Sequence, residues 1–162
     1  AVTEINQIFK SNKKKKDLRD LKFKPYRAKT YLHNRVIKNG NRAIFYEPME
    51  ALSGVFYDHI NRWFFDYIHD DMDQETLNIL LDERAKQYEN FIAWVYNQGS
   101  IHNTKFWKHA NKITTDHLTN NPIWEATKKH LNKTPYKDDL YKTWPFGKIS
   151  WDILLKGFNA SL

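Results

Sequence analysis

Residues 48–98 read PMEALSGVFYDHINRWFFDYIHDDMDQETLNILLDERAKQYENFIAWVYNQ, and this stretch decides the fold. Leu52, Phe56, Ile60, Trp63, Phe64, Tyr67 and Ile68 recur at helical spacing and form one broad apolar stripe. Pro48 suits a first helical position, where its missing N–H is not needed. Asp70-Asp71 ends that run. A second stripe follows, made of Leu77, Leu80, Leu81, Tyr88, Phe91, Ile92 and Val95. It begins behind Asp73, a good N-cap, with acids in the first turn as the helix dipole prefers. Helices over about 48–70 and 73–98 with a short link predict an antiparallel helical hairpin.

Towards the C-terminus the same logic gives three more helices. Thr104 caps one over 104–118, with Phe106, Ala110, Ile113, His117 and Leu118 on one side. Asn121-Pro122 opens one over 121–132, carrying Ile123, Trp124, Ala126 and Leu131. Residues 132–148 read as a loop, with Pro135, Pro145 and Gly147, and Ser150 caps a last helix over 150–157. Towards the N-terminus, residues 30–47 (TYLHNRVIKNGNRAIFYE) predict one β-hairpin turning at Asn39-Gly40. A loop over 39–41 would set Val36 against Ile44 and Ile37 against Ala43. The expected fold class is therefore α+β, mainly α. A basic N-terminal arm, 1–29, precedes a single globular domain, 30–162, of one hairpin and four to five helices.

The bulk numbers bound the chemistry. A chain of 162 residues favours one domain and can bury a core without staples. Cysteine is absent, which excludes disulfides, zinc–thiolate sites, iron–sulfur clusters and Cys nucleophiles. No apolar run is long enough to span a bilayer, and the start AVTEINQIFK is unlike a signal peptide. The expected location is intracellular, cytoplasmic or virion-associated, and not secreted.

The net charge of +7 is concentrated. Residues 10–29 carry ten Lys/Arg against two Asp, while residues 30–162 balance to zero. Residues 66–89 are acidic, with eight carboxylates against Arg84 and Lys86, and residues 100–148 are basic again. Lys13, Lys14, Lys15, Lys16, Arg19, Lys22, Lys24, Arg27 and Lys29 are the candidate contacts to a nucleic-acid backbone or other anion. Phe23 and Tyr26 interleave with them as stacking groups. The same arm also suits an acidic protein surface, including the chain's own 66–89 segment.

Six Trp, ten Phe and nine Tyr are more than a core of this size needs, and aromatic side chains favour interfaces. Tyr57, Phe65, Trp144 and Phe146 lie outside the simple buried stripes and are the candidate protein-interface residues. Metal and nucleophile chemistry find no support. The acids Asp66, Asp70, Asp71, Asp73 and Glu75 lack the order of a calcium loop, and the seven His lack metal spacing. No Gly-rich phosphate cradle occurs, a lone E-x-x-K at Glu125–Lys128 carries no assignment, and no cofactor or metal is expected.

Arg62 and His69 stand seven apart within the first long helix. This R-x6-H pair resembles the signature of HEPN ribonucleases. The resemblance implies an all-helical domain whose Arg62 and His69 would act on an RNA phosphate, usually across a dimer. Bulk and charge favour another function: a non-enzymatic basic adaptor or assembly subunit. Its setting would be a phage or other viral structure. Its partners would be a protein in a larger assembly and DNA or RNA backbone, with a homo-oligomer admitted and no membrane span. The HEPN-like RNase, and an inhibitor of a host enzyme, are the alternatives.

Overall fold

The computed structural model describes residues 6, 10, 12, 14, 24–47, 49–98, 103–133 and 148–160. Helix α1, Leu52–Ile68, and helix α2, Gln74–Gln98, form the hairpin that the two apolar stripes require. They run antiparallel: Phe56 meets Tyr88 at 5.8 Å between ring centroids, and His59 further along α1 meets Arg84 earlier in α2. A 3-10 turn, Met49–Ala51, precedes α1, and Ala51 adopts a left-handed φ of 54°. Pro48 lies outside the described residues. Asp73 caps α2 by accepting the Thr76 N–H at 2.7 Å.

Helix α2 is the centre of the molecule. Helix α3, Lys105–Leu118, and helix α4, Pro122–Lys133, both pack on it, as does α1. Thr104 Oγ1 accepts the Trp107 N–H, and Asn121 Oδ1 accepts those of Ile123 and Trp124, so both expected caps are in place. Helix α5, Lys148–Phe158, starts earlier than expected, and Ser150 sits inside it. The fold is α+β and mainly α, as the sequence patterning requires.

The β pairing corrects the expected hairpin over 30–47. Strand β2, Leu32–His33, pairs with strand β3, Val36–Ile37, around a two-residue turn at Asn34-Arg35. Asn34 takes a φ of 54°, which asparagine tolerates better than most residues. The Asn39-Gly40 turn is used differently. Asn39 Oδ1 accepts the Gly40 N–H and caps a 3-10 turn, Gly40–Arg42. Strand β4, Ile44–Phe45, is thereby delivered to strand β1, Tyr26–Arg27, with Arg27 opposite Ile44. Ile44 therefore does not pair with Val36.

Both ribbons are fastened to α2 by side chains. Asn78 Oδ1 accepts the N–H groups of Tyr31 and Leu32 at 2.8 and 3.0 Å, and its amide donates to Leu32 O at 2.9 Å. Arg27 bridges Asp82 and Glu89, and the Tyr46 hydroxyl donates to Glu89 at 2.7 Å. The last residues of the basic arm are thus built into the fold, and Ala28 is buried.

Two aromatic groups fill the core. Phe56 lies between Tyr31 and Tyr88, at 5.8 Å from each, above Leu52, Ile60, Leu77 and Leu81. Phe91, Trp94, Trp124 and Trp151 form the second group, which clamps α5 against α2 and α4. Each fully buried aromatic contributes roughly 1.5–3 kcal/mol by removal of apolar surface from water. Among the described residues no helix is long and apolar enough to cross a membrane.

Candidate functional site

The second aromatic group has an open edge. Trp94, Asn97 and Gln98 from α2, Leu118 from α3, and Trp124, Glu125 and Lys128 from α4 line a cleft of about 450 Å³. That volume is in the range that holds a small organic ligand. The apolar wall is rigid: Trp94 and Trp124 are almost fully buried, and Trp151 packs behind them at 5.0 and 6.1 Å. The polar wall is tied down as well. Asn97 Nδ2 donates to Thr115 Oγ1 at 2.7 Å, and the Asn97 carbonyl accepts from Asn111 at 2.8 Å. At the mouth, Lys128 Nζ stands 2.7 Å from Glu125 Oε1. This pair is partly exposed, so it adds little stability, and it presents both signs of charge beside an aromatic wall.

A second polar cluster flanks the cleft. Asn90 is buried on α2, where its Oδ1 faces His117 Nε2 at 3.0 Å and accepts from Asn121 Nδ2 at 2.9 Å. The three side chains tie α2, the last turn of α3 and the cap of α4 together. His117, on the apolar stripe of α3, is held by this network.

The sequence-derived candidates fall elsewhere. Of the arm's cations, Lys14, Lys24 and Lys29 are exposed, while Arg27 is engaged by Asp82 and Glu89. Lys13, Lys15, Lys16, Arg19 and Lys22 lie outside the described residues, as do Trp144 and Phe146. Tyr57 is half-buried and donates to Asn41 Oδ1 at 2.8 Å, whereas Phe65 is 59% exposed. Arg62 Nε bonds Asp58 one turn earlier at 2.8 Å, and the His69 ring lies 4.2 Å from that of Phe65. The cleft residues Trp94, Trp124, Glu125 and Lys128 were not singled out as a site by sequence reasoning. The high Trp content was the one signal pointing towards them.

The chain matches the tryptophan halogenase family over residues 1–160, and it belongs to that family. No curated protein and no solved structure gave a match.

Membership overturns the expected non-enzymatic adaptor and its phage or viral structural setting. It equally overturns the two alternatives, the HEPN-like RNase on Arg62 and His69 and the host-enzyme inhibitor. The family is enzyme-related and its chemistry implies a flavin. The described residues do not fit a flavin dinucleotide. Their strands form two antiparallel ribbons with no parallel β-α-β unit, and the chain's five glycines are isolated rather than clustered at a strand-to-helix turn. No halide-oxidising step is assigned to these residues.

Proposed function

We propose that this chain serves a tryptophan-halogenase activity by holding the aromatic substrate, and that the cleft between α2, α3 and α4 is where it is held. The observation that carries the reading is the meeting of the Trp94–Trp124 wall with the Glu125–Lys128 pair in one cleft. An indole would stand edge-to-face against the parts of Trp94 and Trp124 that border the cleft, where aromatic contacts add about 0.5–1.5 kcal/mol beyond burial. The substrate ammonium would replace Lys128 on Glu125, and its carboxylate would take the released Lys128 ammonium. The exchange conserves both charges, so little desolvation is left uncompensated. Asn97 and Gln98 supply amide groups along the polar side.

Isothermal titration of the full chain with L-tryptophan tests this, with L-leucine as the control lacking the ring and tryptamine as the control lacking the carboxylate. The expected result is one site for tryptophan, with tryptamine and leucine each at least tenfold weaker. Equal affinity for all three, or no heat with any, contradicts it.

A further inference from the structure

Two exposed surfaces of opposite charge stand at opposite ends of α2. The first is the tip of the α1–α2 hairpin. There Phe64, Tyr67, Ile68 and Met72 give apolar walls to a cleft of about 630 Å³, with Asp70 and Asp73 at its rim beside Arg35. Ile68 is 54% exposed and the adjoining Phe65 59%, so large apolar side chains face water here. From residue 63 to residue 83 the chain carries seven acids and no Lys or Arg. The second is the outward face of α3. Phe106 and Ile113, two turns apart on one side of that helix, are 58% and 51% exposed. The Phe106 ring is propped edge-on by Tyr96 and Trp107, at 6.4 and 5.1 Å between centroids. Lys105, Lys108 and Lys112 are exposed on the same helix, and from residue 100 to residue 115 the chain has no acid.

We propose that the hairpin tip receives the α3 face of a second copy of this chain. Phe106 enters between the apolar walls of the cleft, and Lys105 and Lys112 meet the acids of the tip. Each surface pairs exposed apolar side chains with one sign of charge, and each is the complement of the other. Distance selects a second copy. Gln74 lines the tip cleft and Tyr96 props Phe106, and both belong to the one continuous helix α2. At 1.5 Å per residue they stand about 33 Å apart. A copy therefore cannot seat its own α3 in its own tip. The separation of the two surfaces is the same in every copy. Two copies lying antiparallel bring tip to α3 at both ends, which closes the arrangement about a two-fold axis.

Light scattering after size exclusion, on the full chain at low salt, tests the docking. The mass of two copies is expected. The variants Asp66→Lys/Asp71→Lys and Lys105→Glu/Lys112→Glu should each be monomeric. None of the four side chains is buried, and the Asp73 cap and the left-handed Asp70 are left alone, so both variants should keep the wild-type melting curve. Mixed in equal amounts, the two variants should return to the mass of two copies, because lysine then faces acid at both contacts. Phe106→Ser should weaken the association at least tenfold. A monomeric wild-type chain, an association that either charge variant leaves intact, or a mixture that stays monomeric overturns the proposal. Tryptophan binding is read separately, because none of the substituted residues lines the cleft of Trp94 and Trp124.

Discussion

His59 is nearly buried on α1, where it stacks on Trp63 at 5.3 Å and its Nε2 lies 3.5 Å from the Arg84 guanidinium. Burial, reinforced by the Arg84 charge, lowers its pKa to about 4 from an ordinary 6.5. The unfolded chain takes up this proton first as pH falls. The stability due to neutral His59 is therefore full above about pH 6.5, declines down to about pH 4 and is flat below. The window is worth about 3 kcal/mol. His59→Gln should remove that much of the acid slope in urea unfolding followed between pH 7 and 4, and an unchanged slope would show that the histidine takes up its proton at the same pH folded and unfolded. Tyr31 gives a contrasting case. Its hydroxyl is buried with no hydrogen-bond partner among the described residues. Tyr31→Phe should leave the melting temperature unchanged or raise it slightly, since no bond is lost and an unmet polar group is removed. Asn90 has no such freedom. Asn90→Ala should cost about 2 kcal/mol in urea unfolding, because His117 and Asn121 would both lose a buried partner.

At the scale of elements, Trp151 is the most deeply buried anchor of α5, with Leu154, Leu155 and Phe158 packing beside it. Trp151 is 2% exposed and touches Phe91, Trp94 and Trp124. Trp151→Ala should lower stability by about 3–5 kcal/mol and loosen α5 before the rest, which amide exchange within 150–158 would reveal as an early loss of protection. The helices were legible because each carries a repeating apolar stripe, and α2, α3 and α4 also carry a capping residue: Asp73, Thr104 and Asn121 stand where their side chains imply. The strands were not legible. Each is two residues long, too short for alternation to set a register, and their anchors, Asn78 for one ribbon and Asp82 with Glu89 for the other, lie more than forty positions away on α2. The cleft was half legible. The tryptophans announce aromatic surface, but Trp94, Leu118 and Trp124 come from three helices, and only packing makes them converge. The Glu125–Lys128 spacing was visible and meant nothing without the wall beside it.

For the molecule as a whole, the lysine run at 13–16 points towards nucleic acid, while the likeness to the tryptophan halogenase family extends over residues 1–160. A tract of one charge is conspicuous and cheap to acquire; an aromatic cleft assembled from distant helices is neither. On the function proposed above, this cleft recognises an aromatic amino acid by its ring and its zwitterion together. The most direct measurement is fluorine NMR of 5-fluorotryptophan titrated with the full chain and with the Lys128→Met and Glu125→Gln variants. One broadened and shifted resonance, displaced by excess L-tryptophan and weakened at least tenfold by either variant while melting is unchanged, is the expected result. A resonance that stays sharp at saturating protein, or binding that both variants leave intact, would contradict it.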